Sequence, residues 1–248
     1  DLGQRLVQVH ARSVWRCYAP VWAAVVLLAL ATVEIAGWLP GLLIFWLKPW
    51  LDRSLLFVLS RAVFGEATHW SDLWAARRVV FTRHLLRTLT IARLSPWRSF
   101  TQAIDQLEGQ HGAARGKRRA VLLGNQRGAA IGLQFVYANL EMIFVVALVA
   151  LVAWFLPEGL RGELWALYSE GESAPMQAVF ALGYGLIVLA LEPFYVAAGF
   201  AMYLNRRVEL DPSQATVPSH LRELLDFLYS QPATGPIPAS DGTPVAPV

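Results

Sequence analysis

The sequence predicts an all-α, polytopic membrane protein with four transmembrane helices and interfacial helices in a large cytoplasmic loop. Three observations carry this. Of the 248 residues 56% are hydrophobic and only 16% charged, mean hydropathy is +0.43, and the apolar residues gather into four windows that meet or approach the length of a bilayer crossing. A helix rising 1.5 Å per residue needs roughly 20 mainly apolar residues to cross a hydrocarbon core of about 30 Å. Ten Trp on one chain do not suit a soluble surface either. The single cysteine, Cys17, excludes a disulfide framework or a cysteine-based metal site. The basic pI of about 9.2 comes from 19 Arg and two Lys, without a long charged tail.

The predicted spans cover about 18–38, 42–64, 131–156 and 176–203. Glu34 is the only charge in the first, and Leu39-Pro40-Gly41 reverses the chain into an antiparallel hairpin. The second is interrupted by Lys48, Asp52, Arg53, Arg61 and Pro49, and a re-entrant half-helix is the rival reading. Eleven Lys and Arg lie between residues 65 and 130, against Arg161 alone between 157 and 175, where Glu158, Glu163, Glu170 and Glu172 also lie. Positive charge is retained on the inside, so the N-terminus, the loop 65–130 and the C-terminus are expected on the cytoplasmic side of the membrane. The apolar stretch after Arg16 is too long for a cleaved signal and is expected to stay as an anchor. The chain starts at Asp1, and a segment upstream is an open expectation.

Within the loop, Phe81, Leu85, Leu86, Leu89 and Ala92 share one helical face and Arg83, His84 and Arg87 another, which is the pattern of an interfacial helix or of a basic loop packed under the bundle. Ser95-Pro96 ends it, and Ser99 is expected to cap a second helix running to about Gln110. Arg83, Arg87, Arg115, Lys117, Arg118 and Arg119 are the candidate docking residues for anionic lipid or a cytoplasmic partner. The run 115–119 lies just before a span, where basic clusters serve topology, so nucleic acid is not expected. Gly128 and Gly132 form a GxxxG at the inner end of the third span. Residues 208–248 read as a Pro-rich cytoplasmic tail, holding seven of the 14 prolines and a short amphipathic helix at about 218–230 built on Leu221, Leu224, Leu225 and Leu228.

Counting helix rise from the inner ends of the spans puts Asp52, Arg53, Glu141 and Glu192 together roughly 15 Å deep, with Lys48 a turn further out. Unpaired charges there cost several kcal/mol each, so these five residues are expected to face inward and pair or be neutralised by protonation, in a network in which Glu141 and Glu192 pair with Arg53 and Lys48 and Asp52 is left to snorkel, share a proton or hydrogen-bond locally. Such a network serves either as an interhelical staple or as a proton or ion relay. No nucleophile elbow, zincin or P-loop pattern occurs, and no catalytic residue, cofactor or metal site is predicted. Glu66, His69 and Asp72 recur at i, i+3, i+6 but read better as a solvated face beside Trp70 and Trp74.

Three stretches carry a family resemblance: Leu47-Lys48-Pro49-Trp50-Leu51-Asp52-Arg53; Leu94-Ser95-Pro96-Trp97-Arg98-Ser99-Phe100 leading to Gln106-Leu107-Glu108-Gly109; and Phe194-Tyr195 through Tyr203-Leu204-Asn205-Arg206-Arg207. Over most of residues 1–210 the chain resembles a family of uncharacterised proteobacterial inner-membrane proteins encoded with a MoxR-type ATPase, a von Willebrand factor A-type protein and a transglutaminase-like membrane protein. The resemblance implies a cell-envelope assembly or stress role and transfers no chemistry. It lapses after Glu209, where a Pro-rich tail replaces the Gly-Trp-acidic continuation of that family. The expectation is therefore a non-enzymatic membrane scaffold that docks a cytoplasmic ATPase or envelope protein through its basic loop. A homo-oligomeric transporter or channel subunit working through midplane carboxylates is the first alternative, and a lipid-modifying enzyme the second.

Overall fold

The apolar windows emerge as long helices, and the polar segments between them as short ones. The computed structural model describes residues 2–82, 85–90, 95–108, 112–155 and 174–210, with Leu86 and Arg87 described by backbone alone. No strand occurs among them. Arg83, His84, Ala92, the acidic loop 157–173 and the tail helix expected at 218–230 lie outside the described residues, as does the side chain of Arg87.

A short amphipathic helix that the sequence reading missed, α1 (Leu2–Val9), leads directly into α2 (Ala11–Leu30). The first span thus starts seven residues earlier than expected and stops well short of Trp38. Thr32 donates its hydroxyl to the Ala29 carbonyl at 2.6 Å, in a run of turns over residues 31–35 that carries Glu34 on the exposed side. Pro40 does not sit in that reversal. It occupies the first turn of α3 (Leu39–Ala62), where its missing N–H has no intrahelical partner to lose.

A short helix, α4 (Trp70–Ala75), follows, and the His69 backbone N–H donates to the Asp72 carboxylate at 2.9 Å across its start. Of the stretch expected as an interfacial helix over 81–92, the described residues belong to a π-helical turn, Arg78–Thr82, and to the five-residue α5 (Leu85–Leu89). From α3, Arg53 reaches out to carbonyls of this turn and holds it against the bundle. After Pro96, α6 (Arg98–Leu107) begins; Ser99 lies inside it and is not its cap, and it ends earlier than Gln110.

The basic run then forms α7 (Gly112–Leu123), followed by the two longest helices, α8 (Arg127–Phe155) and α9 (Ala174–Leu210). Helices α2, α8 and α9 are each long and apolar enough to cross a membrane. Helix α3, at 24 residues, has the length but not the apolarity. It is also the centre of the bundle, burying Ile44, Leu51, Leu55, Leu56, Val58 and Leu59 together with its charged residues Lys48, Asp52 and Arg53. The main core joins Tyr18 of α2, Leu55 and Leu59 of α3, Phe100 and Ile104 of α6, and Phe200 and Tyr203 of α9. A smaller one joins Val26, Ala29, Ile44, Ala181 and Val188.

Close helix approaches depend on glycines other than those of the predicted GxxxG. A Cβ on Gly128 or Gly132 would meet nothing within 4 Å, whereas one on Gly3 would stand 2.7 Å from the Ala197 backbone, and one on Gly199 would run into Ser99. Small residues at Ser99 and Gly199 therefore let the start of α6 lie directly on α9. Leucine at Gly199 is expected to lower stability by about 1–3 kcal/mol through overpacking, while leucine at Gly128 leaves it unchanged. Thermal unfolding of the detergent-solubilised protein measures both, and equal losses at the two positions would contradict this packing.

Candidate functional site

Lys48 and Asp52 stand four residues apart on α3, so one face of that helix carries both charges. Helix α9 brings Glu192, α8 brings Glu141, and the buried start of α6 brings Arg98. The Lys48 ammonium lies 2.7 Å from Glu141 Oε2 and 2.9 Å from Glu192 Oε2, bridging two helices from a third. Arg98 Nη2 is 3.0 Å from Glu192 Oε1 and 3.3 Å from Asp52 Oδ2. Five ionisable groups on four helices thus form one connected cluster. The side chains of Asp52 and Glu192 are 1% and 2% exposed, whereas Glu141, at 19%, stands at the edge.

Tyrosines complete the site. Tyr184 donates its hydroxyl to Glu141 Oε1 at 2.6 Å, Tyr195 donates to the Gln134 side-chain oxygen, and the Arg98 guanidinium lies 5.2 Å from the centre of the Tyr195 ring. Two amides on α6 fix its lengthwise position: Gln102 donates to the Pro49 carbonyl at 2.8 Å and Gln106 to the Arg53 carbonyl at 3.0 Å. Both pairs are spaced by four residues, so the two helices are in register here. Between α8 and α9 a small cavity lined by Lys48, Arg98, Gln134, Tyr137, Glu141 and Glu192 reaches the cluster; its volume of about 20 Å³ accommodates about one water molecule.

Of the five predicted network residues, Lys48, Asp52, Glu141 and Glu192 come together here and Arg53 does not. Arg53 Nε donates to the Val80 carbonyl, Nη1 to Thr88 Oγ1 at 3.1 Å and Nη2 to the Val79 carbonyl at 3.2 Å. The expected pairing of Arg53 with the glutamates is corrected accordingly. Its place is taken by Arg98, which the sequence reading left in a loop. A signal for Arg98 was present, since Ser99 and Ala103 form a small-xxx-small pattern that marks a helix able to pack tightly, and Arg98 adjoins it.

The predicted docking residues divide differently. Arg118 Nε pairs with Glu108 Oε2 at 2.9 Å and Arg115 Nε with Asp105 Oδ1 at 3.8 Å, clipping α7 to α6. Glu108 also accepts from the Tyr203 hydroxyl at 3.1 Å, tying both helices to α9. Lys117 is exposed and Arg119 half-buried. Exposed Arg77 and Arg78 were not singled out by sequence; Arg77 lies 5.0 Å from the Trp74 ring, next to the Trp70–Trp74 stack. Glu66 pairs with Arg61 at 2.9 Å, and Asp72 with the His69 backbone, so the i, i+3, i+6 set is engaged within the chain. No cluster of three metal-ligating side chains occurs among the described residues.

Chemically the cluster can hold helices in register, and the cavity leaves room beside it for about one water molecule. Lys48→Met removes the cation between two carboxylates and is expected to cost about 3–5 kcal/mol, the usual effect of breaking a buried ion pair. Glu141→Gln, at the exposed edge and still within reach of Tyr184, is expected to cost about 1 kcal/mol. Melting of the purified protein in detergent reports both, and a Lys48→Met protein as stable as the original would show that the pairing carries no stability. Comparison with protein-family models, with curated proteins and with solved structures gives no match for this chain, so the part the cluster plays is argued from its own geometry and charge.

Proposed function

We propose that the chain is a non-enzymatic scaffold of the bacterial inner membrane, an assembly component of a cell-envelope complex whose cytoplasmic face docks a partner. The observation that carries this reading is the seating of α6: Arg98 and its two amides anchor the central polar segment to the spanning helices. A segment held in that way presents α7 at a defined position, which suits a docking platform. In this reading α2, α3, α8 and α9 all cross the bilayer, α3 being tolerated because its charges face protein, and both ends of the chain are cytoplasmic. The docking surface consists of Arg77, Arg78 and Lys117, with Trp70 and Trp74 at the head-group level and anionic lipid attracted to the basic residues. The partner would be a cytoplasmic ATPase or an envelope protein, as the family resemblance implies.

A second reading, a homo-oligomeric transporter using Asp52, Glu141 and Glu192, is favoured by the cavity that reaches the cluster. Its width counts against it, since room for about one water is far from a substrate pathway. In this reading Glu141→Gln and Glu192→Gln would abolish flux in liposomes without loss of assembly.

Two measurements follow. In a Cys17→Ala background, a cysteine at Glu34 is expected to react with an impermeant maleimide from outside intact spheroplasts, and one at Lys117 only after permeabilisation; the reverse pattern would invert the topology. Crosslinking in native membranes is expected to recover a partner joined to the segment 70–123, and Arg77→Glu with Arg78→Glu and Lys117→Glu to reduce that recovery about tenfold while the bundle stays folded. Crosslinks between copies alone would move the assignment to the transporter.

A further inference from the structure

Charge in the buried cluster does not balance. Lys48 and Arg98 supply two positive charges, and Asp52, Glu141 and Glu192 supply three carboxyls. Arg53, next in the chain to Asp52, points to the carbonyls of Val79 and Val80 and to Thr88. With every group ionised the contacts within the cluster would leave one carboxylate in excess of the cations, a costly arrangement at Asp52 and Glu192, whose side chains are 1% and 2% exposed.

Asp52 Oδ2 and Glu192 Oε1 also converge on one nitrogen, Arg98 Nη2, at 3.3 Å and 3.0 Å, which sets the two carboxyls side by side between α3 and α9. Two ionised carboxylates are both acceptors, so a contact between them becomes a hydrogen bond only with a proton on one of them. Consistent with this, the Asp52 side chain is 1% exposed, and its contact with Arg98 Nη2, at 3.3 Å, is longer than that of Glu192, at 3.0 Å. The groups facing the pair come from every element around it: Tyr18 from α2, Lys48 from α3, Arg98 from α6, Glu141 from α8 and Tyr195 from α9.

We propose that Asp52 and Glu192 hold one proton between them, and that the cluster is a proton-binding site inside the membrane domain, filled and emptied through the water-sized cavity between α8 and α9. The proton neutralises the cluster. Its loss, to water in the cavity, leaves a net negative charge on the cluster. This site goes beyond the scaffold role and does not depend on which partner docks.

Infrared spectroscopy of the full chain in lipid nanodiscs, in H₂O and in D₂O, tests it directly. At neutral pH the unaltered protein is expected to show a protonated-carboxyl C=O band that shifts in D₂O, disappears as the pH is raised, and is lost in both Asp52→Asn and Glu192→Gln. Glu34→Gln, at the exposed turn, leaves the band in place. Absence of the band in the unaltered protein, which would mean that all three carboxyls are ionised and that water solvates or an inorganic cation neutralises the excess charge, overturns the proposal. So does a band that survives both substitutions. If either variant fails to fold, the presence or absence of the band in the unaltered protein decides.

Discussion

Charge buried inside an apolar bundle is the constraint on which the other features of this structure depend. A carboxylate or ammonium in hydrocarbon costs several kcal/mol unless it is paired, so a sequence that places Lys48, Asp52 and Glu192 in its helices must bring those helices together in one way. Lys48 bridges α8 and α9 from α3, and Arg98 closes the cluster from below. Apolar packing between membrane helices is nearly indifferent to sliding and rotation, because lipid tails are as apolar as leucine. Directional ion pairs are not. The register of α3, α8 and α9 is accordingly set where the charges meet, and Gly183 and Gly185 of α9 leave room for the side chains of Leu148 of α8 and Ile44 of α3.

The same constraint explains how a polar segment becomes part of the membrane domain. Helix α6 buries Arg98, Ser99, Phe100 and Thr101 at its start, and the clip from Arg118 to Glu108 carries this order outward into α7. Arg53 does the equivalent for the π-helical turn, taking two of its carbonyls. What reads as a loop between two spans is thus fastened at two points to the helix α3 that precedes it. A fastened segment is better suited to presenting a surface than to acting as a tether, which is the physical content of the scaffold proposal.

Helical class and the long apolar helices were legible because twenty-residue apolar runs are a strong signal and need no knowledge of packing. Lys48, Asp52, Glu141 and Glu192 were legible for the converse reason, as charges in apolar surroundings. Arg53 was misplaced because depth alone was used: Lys48 and Asp52 share a face, and one further residue turns Arg53 about 100° away from it. Arg98 was hidden by its neighbourhood, since one Arg among eleven basic residues of a loop is not conspicuous and only tertiary packing shows that it dips inward. Helix ends were least legible. The antiparallel hairpin was anticipated, but Pro40 begins a helix where it was expected to make the turn, a choice that the first-turn preference of proline permits and a turn motif obscures.

The measurement that bears most directly on the central role of the cluster is a double-mutant cycle between Arg98 and Glu192, with Arg98→Met, Glu192→Leu and the pair together, read by thermal unfolding in detergent. Each single change leaves a buried charge without its partner, whereas the double change removes both, so the two losses are predicted to be non-additive, with a coupling of at least about 1 kcal/mol. Losses that simply add, to within about 0.5 kcal/mol, would contradict the account and leave α6 held by apolar contacts alone.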